Sequence, residues 1–269
     1  MSYKNNLKFK QNFIGASKCM LTVIYALFLR ETYTLYGHDK LGYIWVLLRS
    51  VFGIGIFVAI RMLSGIQFEQ GMHIIHFLLI GFLFYYIFSE SVSKCIDAIS
   101  ANSALLSFPH VIPLDIMISR CILVFFTNTQ SALVIILLAY MFGITLTINN
   151  YSQLFFCISA ITLLGFAFGV LLASLNVFYP LVGKIWNFAN RPLFFASGVF
   201  FSIDRIPAAY QEMLRWNPLL QLIQGAREAM SNALFFEPTI NYPYICLFVL
   251  SCLCFGLLIE QASHRRLEQ

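Results

Sequence analysis

The chain has 269 residues; 59% are Ala, Val, Ile, Leu, Met, Phe, Trp, Tyr or Cys, 28 are Phe, and only 11% are Asp, Glu, Lys or Arg. An average soluble domain carries ~25% charged residues, and the mean hydropathy here is +0.79. One soluble core cannot hide that much apolar surface, which excludes an ordinary soluble enzyme, a disordered tail and a disulfide scaffold.

The apolar runs are continuous rather than alternating, which argues against a membrane β-barrel. What remains is an all-α polytopic membrane protein, and at ~20 residues per span its length holds about six helices. The excess of 17 Lys+Arg over 12 Asp+Glu sits between apolar runs. It therefore reads as an orientation signal rather than a nucleic-acid surface.

In chain order, residues 1–40 carry six basic groups (Lys4, Lys8, Lys10, Lys18, Arg30 and Lys40) opposed by Glu31 and Asp39. They read as a cytoplasmic N-terminus. No signal peptide is expected, because the short run at 20–29 ends in Arg30-Glu31 without a small-residue cleavage site. The segment 18–36 is too short and too charged to span. It reads as an amphipathic helix in the membrane interface, or else as a short helix packed on the body.

Spans are predicted at about 41–63, 72–88, 114–144, 154–175, 182–201 (broken by Pro192) and 242–259, followed by a basic tail with Arg265-Arg266. An even count puts both termini on one side, the cytoplasm by their charge. The loops 67–71 and 145–152 lack Lys and Arg and face out. The domain reading is 1–40 cytoplasmic, 41–260 transmembrane and 261–269 cytoplasmic tail.

Three stretches do not fit a plain bundle. Residues 89–113 are polar and helix-compatible with a proline stop, which predicts a short cytoplasmic helix at about 94–108 for a soluble partner, or a turn that binds nothing. Residues 206–232 predict two short helices, 207–215 and 218–231. Pro207 and Pro218 stand at first helical positions, and Asn217 is an N-cap. These helices are too apolar for free solvent and too short to span, so they fit a re-entrant hairpin in the outer leaflet. The third set comprises charges inside spans: Arg49, Arg120, Lys184 and Arg191. Each faces a cavity or partner, or else snorkels to an interface. Gly165, Gly169 and Ala173 recur every fourth position and predict a close-packing face.

No phosphate-binding loop, H-E-x-x-H or G-x-S-x-G is present. His73 and His76 read as interfacial rather than metal-binding, and the seven Cys as packing residues. Mid-span carboxylates are sparse, which argues against a proton- or sodium-coupled carrier. Energy for any transport then comes from another chain.

Ala26-Leu27-Phe28-Leu29-Arg30-Glu31 with Leu41-Gly42-Tyr43-Ile44-Trp45 resembles the start of type-2 ABC exporter permeases, in particular those exporting capsular polysaccharide. Ala101-Asn102, Leu105-Leu106 and Pro113-Leu114-Asp115 are similar to that family's cytoplasmic coupling segment. Arg191-Pro192-Leu193, Ile206-Pro207, Trp216-Asn217-Pro218-Leu219 and Arg227-Glu228-Ala229 are similar to its fifth span and outer hairpin.

The resemblance implies a homodimer in the bacterial inner membrane that exports a lipid-linked acidic polysaccharide. Two separate ATPase subunits would bind ATP and Mg, this chain would hold no cofactor, and surrounding lipid and periplasmic and outer-membrane export proteins would be further partners. It assigns ATPase docking to Arg30, Glu31, Ala101, Asn102, Leu105 and Leu106, and the outer gate to Trp216, Asn217, Pro218, Arg227 and Glu228. Two departures stand out. Arg49-Ser50 replaces a Glu-Pro usual after the span-one Trp, and Pro109-His110-Val111-Ile112 replaces basic residues.

A translocation path for an acidic sugar polymer needs cations and flat surfaces. Tyr43, Trp45 and Arg49 in span one and Lys184, Asn187 and Arg191 in span five supply them. At ~100° per residue the last three share one face; the bland reading is that the neighbouring aromatics simply meet lipid. O-antigen or teichoic-acid export, a membrane enzyme acting on lipid-linked sugars, and a channel needing no ATPase are the alternatives.

Overall fold

The computed structural model describes residues 20–33, 42–102, 112–231 and 240–267, and these are almost wholly helical. A helix over 20–33 (α1) precedes α2, Gly42–Leu63. The strand pair β1 (Phe68–Glu69) and β2 (Met72–His73) is antiparallel. Its turn places Gln70 and Gly71 at φ of 49° and 72°, the left-handed backbone that two-residue hairpin turns require.

Next come α3 (Ile74–Ile96), α4 (Ala98–Ala101), α5 (Pro113–Met141), α6 (Tyr151–Phe178) and α7 (Leu181–Ala196). A 3-10 turn at Ile203–Arg205 leads into α8 (Ala208–Arg215) and α9 (Pro218–Met230), and α10 covers Tyr242–Leu267.

Among the described residues, four stretches are long and apolar enough to cross a membrane: Ile74–Ile96, Pro113–Met141, Tyr151–Phe178 and Tyr242–Ser263. At 1.5 Å per residue each exceeds the ~30 Å hydrocarbon core. The apolar part of α2, Ser50–Leu63, is shorter, and α7 has 16 residues, about 24 Å.

The second predicted span was too short. The helix does not stop at Phe88 but runs on to Ile96. Its Ser89–Ser93 stretch is polar yet stays in the bundle, with Ser89 and Ser91 buried and the Ser93 hydroxyl partnered there. Ser93 donates to the Ser89 carbonyl at 2.9 Å, while Val92, Cys95 and Ile96 continue the buried stripe. Among the described residues the helix expected at 94–108 begins inside α3, breaks at Asp97 and continues as α4; 103–111, with Leu105 and Leu106, lie outside the described residues.

The fifth span is not broken at Pro192, which sits inside α7. The helix ends instead at Ala196, followed by Gly198 at φ 71°, a left-handed stop of the kind glycine provides. The predicted pair of short helices is present. Asn217 caps α9 by accepting from the Leu219 N–H at 3.0 Å, with Pro218 at the first position. Pro207 occupies the cap of α8 rather than its first turn.

The core is built around α6, which packs on α3 and α10. Its small-residue face meets α3: a Cβ on Gly165 would lie 3.1 Å from Ser91 Cβ, and one on Gly169 2.9 Å from Cys95 Cβ. Ala173 is buried beside them. On the other side, a Cβ on Gly256 of α10 would lie 3.1 Å from the Leu171 nitrogen. Glycines at these crossings let the backbones approach closely. α3 is apolar nearly all round, with Phe77, Leu78, Phe82, Phe84, Ile87 and Val92 buried, as befits the central helix of a bundle.

Candidate functional site

α3 is 23 residues long, about 34 Å, and each of its ends carries a polar assembly. At the α4 end, the expected docking residues come together with a charge the sequence left unpaired. Glu31 on α1 accepts from Arg120 on α5 at 3.3 Å and lies 3.5 Å from Arg30. Arg120 also donates to the Lys94 carbonyl at 3.0 Å, closing the end of α3. Arg30 donates to Asn102 Oδ1, and Asn102 donates to the Ala98 carbonyl at 3.1 Å.

This network bolts α1 across α3, α4 and α5. Below it Leu27 packs against Cys95, Ala98, Ile116 and Met117. Arg120 is thus neither snorkelling nor facing a cavity. It is buried and paired, as a charge near membrane depth requires. Lys94, Asp97, Ser100 and Ala101 remain exposed and form a small polar face beside the bolt.

At the hairpin end the central group is Arg227, expected at an outer gate. Its side chain is fully buried and donates to four backbone carbonyls: Phe77 at 3.1 and 3.2 Å, Gly198 at 2.8 Å, Val199 at 2.7 Å and Phe201 at 3.3 Å. The guanidinium lies 3.5 Å from the Phe77 ring centroid. A fork of five N–H donors suits this role, and a lysine could not replace it. Gly81 makes room, since a Cβ there would lie 2.6 Å from Arg227 Nη2.

Next to it, buried Glu69 pairs with the half-exposed Arg205. The pairing escaped the sequence reading, because Glu69 ends β1 and Arg205 ends the 3-10 turn, and no periodicity links them. His73 caps α3 by accepting from the Ile75 N–H at 3.3 Å. Burial lowers its pKa, which favours the neutral ring that this acceptor role demands. Asn149 and Asn150 donate from their backbones to the Ala229 carbonyl, tying the α5–α6 loop to the end of α9. Glu228 accepts from Gln153 at 3.4 Å. Trp216 is exposed, and Asn217 donates to the Ala196 carbonyl at 3.2 Å.

Between these ends α7 lies along α3. Trp186 donates to Ser93 Oγ at 2.9 Å, and the Tyr85 hydroxyl donates to Asn190. On the opposite face Lys184, Asn187 and Arg191 are all exposed, with Phe188 and Phe195 beside them. The shared face expected from spacing is present. Tyr43, Trp45 and Arg49 lie in the N-terminal part of α2. A further polar pair within the bundle, Asn128 to Glu90 at 2.8 Å, was not anticipated.

Residues 7–231 match the family model described as ABC-2 type transporter. The chain belongs to that family. It is 30% identical over 238 residues to the polysialic acid transport protein KpsM of Escherichia coli, covering 86% of this chain and 90% of that protein. It is 24% identical over 263 residues to the capsule polysaccharide export inner-membrane protein BexB of Haemophilus influenzae, covering 96% and 94%. To the protein of the same description, CtrC, from Neisseria meningitidis serogroup B, identity is 26% over 243 residues, covering 87% and 88%. As an ABC-2 transporter the chain is a membrane subunit rather than a catalyst, and the two polar assemblies of α3 belong to a transport protein.

Proposed function

We propose that the chain is the permease subunit of an ATP-driven exporter that moves lipid-linked acidic capsular polysaccharide outward across the bacterial inner membrane. The observation that carries this reading is the end-to-end similarity to capsule export proteins, joined to a bundle of membrane-length helices. α2 and α7 complete six spans, both termini are cytoplasmic, and α8 and α9 form a re-entrant hairpin on the outer side. Two copies pair, each with an ATPase subunit that binds ATP and magnesium; this chain carries no cofactor.

The α4 end of α3 is the docking side, with Arg30, Glu31 and Asn102 holding α1 against α4 and Ala101 exposed to the partner. The face of α7 bearing Lys184, Asn187 and Arg191, with Tyr43, Trp45 and Arg49 of α2, lines the path. Arg227 anchors the gate whose exposed member is Trp216.

Ala101→Asp tests the docking side. Ala101 is exposed, so the carboxylate costs the free permease little but is left unpaired when a docking cleft closes on it. ATPase co-purification should fall several-fold with insertion unchanged; wild-type recovery of the complex would refute the assignment.

A further inference from the structure

Between the α8–α9 turn and the head of α10 lies a cavity of about 520 Å³, within the ~300–1,000 Å³ range of small-ligand sites. We infer that this cavity is a saccharide subsite, selective for sugars that bear a carboxylate. The inference rests on the exporter reading and adds a substrate contact outside the α7 face.

Its walls are aromatic. Trp216 is 71% exposed even though the adjoining α9 residues Leu219 and Leu220 are buried. Its ring stands at 88° to that of Tyr244, with centroids 5.9 Å apart, so the two make a corner. Tyr242 closes another side and is held edge-on by Phe156 at 4.9 Å. Aromatic faces are electron-rich and apolar. They suit the C–H face of a pyranose, while its hydroxyl rim needs polar neighbours.

Those neighbours are built into the cavity. Gln221 is only 4% exposed. Its amide donates to the Arg215 carbonyl at 2.5 Å and accepts from the Asn241 N–H at 3.0 Å. The Tyr244 hydroxyl donates to the Trp216 carbonyl at 2.7 Å. The first of these bonds ties α9 to the end of α8 and the other two fix that corner to the start of α10, so the walls are set before any ligand arrives, which lowers the ordering cost of binding. Asn241 is exposed on the rim.

Arg215 supplies the charge. It is exposed at the last position of α8, and among the described residues its guanidinium has no carboxylate partner. A planar fork with free donors matches a sugar carboxylate in a bidentate pair.

The test uses the purified full-length chain in nanodiscs of neutral phosphatidylcholine. It is titrated by calorimetry with tetragalacturonate and with the carboxyl-reduced tetrasaccharide. Trp216→Ala should weaken both ligands by about tenfold or more, as loss of a central aromatic anchor does, and Trp216→Phe should recover part of that loss. Arg215→Gln should weaken the acidic ligand alone. Both side chains are exposed, so unchanged melting temperatures are expected and are measured alongside.

Wild-type affinity in Trp216→Ala overturns the inference, as does the absence of binding by the wild-type chain. So does an Arg215 effect equal for both ligands. Displacement of the tetrasaccharide by phosphatidylglycerol in the nanodisc, without loss in Trp216→Ala, would assign the cavity to an anionic lipid headgroup instead. Because no ATPase is present, failure here leaves the permease reading standing; failure of ATPase capture would sink that reading without touching this measurement.

Discussion

Replacing Arg227 with methionine removes five hydrogen bonds from a dry site. Methionine fills much of the same volume and adapts to irregular gaps, so the cavity left behind is small. The cost comes from the carbonyls. Phe77 lies in α3 and keeps its place in the helical ladder. Gly198, Val199 and Phe201 lie outside any helix, and the guanidinium is what serves them. Each buried polar group left without a partner costs ~1–3 kcal/mol. Against this, the methionine variant no longer buries a cation, although Glu69 loses a nearby positive charge. A net loss of about 3–5 kcal/mol results, similar to breaking a buried ionic contact. At ~2–4 °C per kcal/mol for a chain of this size, the melting temperature in detergent should drop by about 10 °C. Loosening should be local first. A cysteine at Ser197, which is fully buried, should become reactive to a water-soluble maleimide in the methionine background and stay silent in the parent. Arg227→Lys keeps the charge but offers three donors from one nitrogen, and should fall between the two. A methionine variant that melts within about 2 °C of the parent, with Ser197→Cys still unlabelled, would refute the idea that Arg227 holds this end of the molecule together.

At the other end, Arg120→Ala leaves Glu31 with Arg30 alone, cuts its tie to α5 and should loosen α1; a cysteine at the buried Leu27 position then becomes labelled, and protection equal to the parent would argue against the bolt. Lys184→Ala combined with Arg191→Ala removes two exposed charges and should leave folding and ATPase capture intact while surface polymer falls and internal polymer rises; normal export would exclude the α7 face as path. The purified chain alone should show no ATP hydrolysis above background, since it has no phosphate-binding loop, and measurable turnover from a homogeneous preparation would overturn the exporter reading.

The runs of apolar residues and the Asn217-Pro218 pair were enough to place α5, α6, α9 and the start of α3, because their signals are local: hydrophobic length, a cap, a fixed proline φ. The end of α3 was not legible for a physical reason. A stretch such as Ser89–Ser93 looks like an exit into water, yet a serine can return its hydroxyl to the carbonyl four residues back and to a partner such as Trp186. A polar sequence is then compatible with a dry interior. Pro192 misled in the opposite sense: one lost donor does not end a helix that neighbours hold in place. The ion pairs were invisible because they are tertiary. Glu31 and Arg120 are 89 positions apart, and no periodicity links them. Arg30, Glu31 and Asn102, singled out through resemblance, are brought together by the structure: Arg30 joins Glu31 and Asn102, and Arg120 fastens Glu31 to the end of α3.

The arrangement also constrains how the two ends can communicate. α3 is buried along its length and crosses α6 at glycines, where a Cβ on Gly169 would stand 2.9 Å from Cys95. Close-packed interiors of this kind transmit displacement rather than absorb it. One end of α3 is fastened to α1 and α5 by Arg120, and the other to the 198–201 segment and α9 by Arg227. Tyr85 midway along α3 and Ser93 in its last turn hold α7 through Asn190 and Trp186. The residues that fix α7 to α3 and the cations on its far face are therefore on one rigid helix, so a shift of α3 driven from the α4 end must carry Lys184 and Arg191 with it. A bundle wired through a flexible loop would have let the Arg120 end and the cation-bearing face of α7 move independently; here the hydrogen bonds of Trp186 and Asn190 couple them.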